Sequence, residues 1–173
     1  MTHAEFKQHV LPICPRLMRI AVSLLRSREE AEDALQEVLL RLWQRRRELG
    51  GLRSLEAFSI TMVKNVCLDK LKSYKHRHQH AAPAEDFSPG SPAPDPEAIT
   101  QLKDAYALMM KCFDVLSPQQ RLLLHLREAE EFSYDEIAAA TGIKPGTIRV
   151  MLSRARQKAR DEYRRRSGDP DIT

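Results

Sequence analysis

The sequence predicts an all-α fold: two small helical domains joined by a flexible linker. Three observations carry this. Glycine is scarce, six in 173 residues, and no run of alternating β-branched residues reads as a strand. Long stretches rich in Leu, Ala, Arg, Glu and Lys place apolar residues three and four apart. Residues 76–98 break that pattern with a proline-rich, weakly apolar stretch, which should be solvated linker. The expected boundaries are therefore a first domain at 1–75, the linker at 76–98, a second domain at 99–166 and a frayed tail at 167–173.

The first helix should run from Ala4 to Leu25, bent near Pro12 and Pro15 where a ring removes a backbone donor. The second, Arg28 to Arg47, opens on Ser27-Arg-Glu-Glu30, a capping box, and the Gly50-Gly51 pair separates it from a third, Leu55 to Lys75. On the second helix Ala31, Ala34, Leu35, Val38, Leu39 and Leu42 form the inward stripe. Glu32, Asp33, Gln36, Glu37 and Arg41 are left outside, acidic toward the helix start where the dipole favours it.

Beyond the linker, Asp95-Pro96 opens a helix to about Val115, and Ser117-Pro-Gln-Gln120 caps another that ends near Ala129. Leu102, Ala105, Tyr106, Leu108, Met109, Phe113, Leu116, Leu122, Leu123 and Leu126 are its expected core. Two further helices follow. Ser133-Tyr-Asp-Glu136 is a capping box, Gly142 supplies a left-handed residue to end the first, and Pro145 can begin the second without losing a hydrogen bond. The second should bury Ile148, Leu152, Ala155 and Ala159 and expose Arg149, Val150, Ser153, Arg154, Arg156 and Gln157. Residues 144–166 carry nine Lys or Arg against Asp161 and Glu162. A capped helix, a glycine turn and a basic helix together outline a helix-turn-helix that reads duplex DNA.

The net charge of +4 is unevenly placed: +5 over residues 1–75, −3 over 76–98 and +2 over 99–173. Basic ends about an acidic middle fit two domains that meet a polyanion. Cys14, Cys67 and Cys112 are scattered in apolar helical sequence, which argues for buried thiols and against a disulfide framework or a metal site. His76, His78 and His80 have neither partners nor a second shell, so no metal is expected there, and no cofactor elsewhere. No phosphate-cradling glycine loop or nucleophile-base pair appears, so an enzyme is not expected. Without a signal-peptide pattern or an apolar run long enough to span a bilayer, the expected location is the cytoplasm, with no membrane insertion.

Together these motifs resemble the extracytoplasmic-function sigma factors, the two-domain class of bacterial RNA polymerase sigma subunits, over nearly the whole chain. Residues Glu30 to Trp43, EAEDALQEVLLRLW, are similar to the region 2 helix that binds core RNA polymerase, and Phe58 to Lys72, FSITMVKNVCLDKLK, to the segment that handles the promoter −10 element. Tyr134 to Arg156 is similar to region 4, which handles the −35 element. The resemblance implies polymerase contact by Asp33, Gln36, Glu37 and Arg41. It implies −10 contact by Lys64, Asn65 and Lys72, with Asn65 on a flipped base and Arg53 and Ser54 completing the pocket. Phe58 would be core, and Asp69 would orient nearby basic groups.

For −35 DNA the resemblance points to Lys144, Thr147, Arg149, Val150, Ser153, Arg154 and Arg156. The chain departs from the usual pattern at Val150-Met151: Val150 could meet a thymine methyl, and Met151 stands where a basic residue is common. The implied partners are core RNA polymerase, promoter DNA and an anti-sigma factor, and the free protein would be a monomer. A closed free form, with the basic helix packed on the first domain, is a further expectation. The rival reading, a stand-alone helix-turn-helix regulator, would normally need a dimerisation seam, and no such heptad is present.

Overall fold

A computed structural model describes residues 1–77 and 96–168, all helical or in short turns with no strand among them. Eight α-helices follow in order: α1 (His3–Val10), α2 (Cys14–Leu25), α3 (Arg28–Gln44), α4 (Leu55–Arg77), α5 (Pro96–Asp114), α6 (Pro118–Leu124), α7 (Tyr134–Thr141) and α8 (Pro145–Ser167). The proline-rich stretch at 78–95, with His78 and His80, lies outside the described residues.

Helices α2, α3 and α4 pack on one another and form the first core. Leu17, Ile20, Ala21 and Leu24 line α2 at the spacing that keeps one face inward, and all are fully buried. They meet Ala31, Ala34, Val38 and Leu42 of α3 and Ile60, Val63, Val66 and Cys67 of α4. Each Leu, Ile or Val side chain so buried contributes about 1.5 to 3 kcal/mol, and each alanine methyl less. The predicted bend near Pro12 is a 3-10 turn at Leu11–Ile13. Helix α1 is held by Phe6, whose ring meets Trp43 edge-on at 5.1 Å.

The second domain packs α8 against α5, α6 and α7. Ile148, Leu152 and Ala155 are fully buried as the spacing required, whereas Ala159 is half-buried. Helix α6 does not run to Ala129 as one α-helix. It gives way to a π turn at His125–Ala129, and the chain then passes through Glu131 at a φ of 58°. Met109, expected in the core, is 44% exposed: it stands on the outer edge of the α5–α8 groove that Phe113 and Ala159 line. Leu108 is half-buried, and the side chains of Leu102 and Ala105 lie outside the described residues.

Among the described residues the two domains touch chiefly through α2 and α4, and the basic helix is not a main part of that contact. Helix α2 faces α6 and the π turn, and α4 faces α7. At the centre Glu130, its side chain 2% exposed, accepts from Arg16 Nε at 2.9 Å and from Arg19 Nε and Nη2 at 2.7 and 2.8 Å. The last turn of α7 presents carbonyls with no helical partner, and α4 supplies donors to them. Thr61 Oγ1 donates to Ala140 O at 2.7 Å, and Lys64 Nζ to Thr141 O at 3.3 Å. Arg26 reaches Met110 O at 3.1 Å and pairs with Asp114. Helix α8 points its basic face away because its apolar stripe is already used within the second domain.

Candidate polymerase and promoter interfaces

Ser27 starts α3 by accepting from Glu30 N at 3.3 Å, but the capping box is only half made. The Glu30 carboxylate turns to Lys70 Nζ of α4, at 2.9 Å, and so ties α3 to α4. One turn on, Asp33 and Gln36 are exposed. Glu37 is half-buried and paired with Arg41, while Glu32 is paired with Arg28 at 2.9 Å. The outer face of α3 thus offers the Asp33 carboxylate, the Gln36 amide and two neutralised ion pairs, Glu32–Arg28 and Glu37–Arg41, next to an exposed Leu40.

Asn65 and Lys72 are exposed and seven residues apart, which puts them on one stripe of α4. Lys64 points elsewhere, toward α7, and burial lowers its pKa. Ser54 accepts from Ala57 N at 3.1 Å, so its hydroxyl caps the start of α4, and Arg53 beside it is exposed. Phe58 is half-buried against the core, as expected. Asp69, expected to orient nearby basic groups, makes no ion pair among the described residues, and the base beside it, Lys70, is paired with Glu30. Of the five side chains expected at −10, Lys64 is turned to α7 and Ser54 caps α4, while Arg53, Asn65 and Lys72 are exposed.

The helix-turn-helix is built as its signals required. Ser133 and Glu136 make both capping-box bonds, 2.7 and 3.2 Å, and Gly142 takes a φ of 75° while its N–H closes α7 on Ala138 O at 2.8 Å. On α8 Thr147, Arg149, Val150, Ser153 and Arg154 are exposed on one side, with Lys144 at the N-cap. Met151 is half-buried against the core, so the position that lacks a basic residue is a packing position in this structure. Arg156 is paired with Glu128 of the π turn.

Two contacts at this end had no readable signal in the sequence. The guanidiniums of Arg127 and Arg149 each lie 5.0 Å from the centroid of the Tyr134 ring. The π turn, which places both Arg127 and Glu128, follows no apolar period.

Set against known proteins, the family model of Sigma-70 region 2 matches residues 13–77 and that of Sigma-70 region 4 matches residues 106–158. The RNA polymerase sigma-E factor of Streptomyces coelicolor is 32% identical over 158 residues, covering 91% of this chain and 85% of that one. The chain belongs to the extracytoplasmic-function sigma factors. This sigma factor is also 28% identical to the ECF RNA polymerase sigma factor SigE of Mycolicibacterium smegmatis, over 89% of its own length and 60% of that relative's. Among solved structures, the sigma factor RpoE in complex with the anti-sigma factor NepR from Bartonella quintana is similar at a TM-score of 0.73 and 26% identity, covering 91% of this chain and 96% of that one. It is an alternative sigma factor that directs transcription initiation. No helix among the described residues is long and apolar enough to cross a membrane.

Proposed function

We propose that residues 1–75 are the unit that binds core RNA polymerase and the −10 element, and residues 99–166 the unit that binds −35, joined through 76–98. Asp33 and Gln36 are the polymerase-facing groups of α3, with the Glu37–Arg41 pair beside them. Asn65 and Lys72 with Arg53 and Ser54 read −10, joined by Lys64 once it leaves Thr141. Lys144, Thr147, Arg149, Val150, Ser153, Arg154 and Arg156 face −35. The reading rests most on the exposed polar side of α8, held out by a helix whose opposite side is buried at Ile148, Leu152 and Ala155.

The same reading makes this a non-enzymatic subunit of the cytoplasm. Its contribution to melting is differential affinity: a flipped base and single strand held better than duplex. An anti-sigma protein is a natural partner, because the Bartonella quintana relative of similar fold is a sigma factor held by one.

The test is a reconstituted pull-down and run-off transcription with core polymerase, comparing the intact chain with an Asp33→Arg, Glu37→Arg double variant. Promoter-specific transcripts that vanish in the variant support the assignment. DNA binding without polymerase association would favour the stand-alone regulator.

A further inference from the structure

The arginines of the DNA-facing end are not equivalent, and the difference lies in what each one touches. Arg156 is paired with Glu128, through Nε at 3.1 Å and through Nη2. Arg149 has no carboxylate partner among the described residues; its guanidinium stands over the Tyr134 ring. Arg127 stands over the same ring and donates from Nη1 to Phe132 O at 2.8 Å, which fixes where that second cation lies. Tyr134 is itself fixed as the first residue of α7, behind the complete Ser133–Glu136 capping box.

We propose that Tyr134 is a positioning residue for −35 recognition: its ring pre-orders Arg149 as the base-reading arginine, while Glu128 holds Arg156 back as a contributor of affinity alone. This rests on the −35 reading above. Three physical points support it. A guanidinium over an aromatic face keeps its hydrogen-bonding edge open, so stacking and a bidentate contact to a guanine edge are compatible, whereas a carboxylate occupies that edge. Arg149 lies in the N-terminal turns of the second helix of the helix-turn-helix, the part that reaches base edges in this motif. A flexible arginine held in one place before binding loses less side-chain entropy on contact. The second cation over the ring, Arg127, has no ion pair among the described residues, so it keeps this end of the surface electropositive.

The experiment uses the full chain assembled with core polymerase and a pool of promoter fragments randomised upstream of −10, with bound fragments sequenced and affinities measured across salt. Wild type is expected to enrich one upstream element. Tyr134→Phe should keep that preference, because the ring is retained. Tyr134→Leu should weaken binding about three- to fivefold and flatten the preference at the same position as Arg149→Lys. Arg156→Gln should lower affinity on all sequences alike and reduce the salt dependence. Unchanged polymerase binding and helical content in each variant separates a positioning effect from misfolding. An intact base preference in Tyr134→Leu, or one flattened by Arg156→Gln, overturns the proposal. If wild type enriches no upstream element, the −35 reading itself is lost and the proposal with it.

Discussion

Glu130 and Arg19 lie 111 positions apart in sequence and meet through two charge-assisted hydrogen bonds, 2.7 and 2.8 Å, across the boundary between the domains. The carboxylate is 2% exposed and the guanidinium 54%, so the acid is the buried partner. Arg16 completes the site from one turn earlier on α2, with its guanidinium also over Phe132 at 5.1 Å. The contact sits beside the α4–α7 bonds that occupy Lys64, a residue proposed for −10. Closure and the proposed −10 engagement would thus compete for one lysine.

Removing the carboxylate should release the domains. Glu130→Ala leaves Arg16 and Arg19 without their shared acceptor and is expected to weaken the closed form by about 2 kcal/mol, roughly thirtyfold in the closed-to-open ratio. Small-angle scattering of the free protein should show a larger radius of gyration than wild type. An unchanged scattering curve would mean that the contact contributes little to closure.

Acid should do the same reversibly. The Arg19 and Arg16 guanidiniums hold the Glu130 carboxyl at about 2, well below its ordinary 4.5. A depressed carboxyl stabilises the closed form above pH 4.5, and that contribution is lost as pH falls from 4.5 toward 2. It amounts at most to about 3 kcal/mol, shared with His125. Burial lowers the His125 pKa, so its protonation below the usual imidazole range works in the same direction. Arg16 also pairs with Glu56, and both guanidiniums stay cationic over this range. Scattering from pH 7 to pH 3 should show opening begin below about 6.5 and steepen below 4.5. The acid response should shrink in Glu130→Gln.

Thr61 tests the other half of the boundary. Its hydroxyl bridges Ala57 O at 2.9 Å within α4 and Ala140 O at 2.7 Å on α7. Thr61→Val keeps the shape and leaves the end of α7 without that donor, so it should weaken closure by about 1 kcal/mol while α4 remains intact. Paired with Glu130→Ala in a double-mutant cycle, the two free-energy effects should add if both contacts are made and lost together in one closed form. A combined effect smaller than the sum would show that losing one contact already releases the other.

These contacts mark where the sequence stops being legible. Helix starts and stops follow local chemistry: Ser133, Glu136, Gly142 and Pro145 act within a few residues of one another, and α7 and α8 begin and end where they dictate. The inward stripe of α3 follows from spacing alone. Glu130 carries no such mark, because its partners come from α2 and its burial depends on how two domains meet. The same holds for the π turn, which breaks the apolar period and carries Arg127 to Tyr134 and Glu128 to Arg156. Met109, expected in the core, is exposed for a related reason: a methionine on a helix edge satisfies either side of an apolar stripe, and only the neighbouring helix decides which.

The three thiols should differ in reactivity, and their order checks the first core directly. Cys67 is fully buried between α4 and its neighbours, and that burial pushes its pKa up to about 12 from 9.0. At a pH below 9 this lowers its thiolate fraction about a thousandfold, before any steric block is counted. Cys112 is 5% exposed at the α5–α8 groove and is also raised by burial. Cys14 was expected to be buried, but it lies at the start of α2 behind the Pro12 bend and is half-buried, its thiol donating to Val10 O at 3.3 Å. Alkylation of the native protein at pH 8, followed by peptide mapping, should label Cys14 first, Cys112 more slowly and Cys67 last. All three should react alike in denaturant. Early labelling of Cys67 would mean that the α2–α3–α4 core opens on the timescale of the reaction.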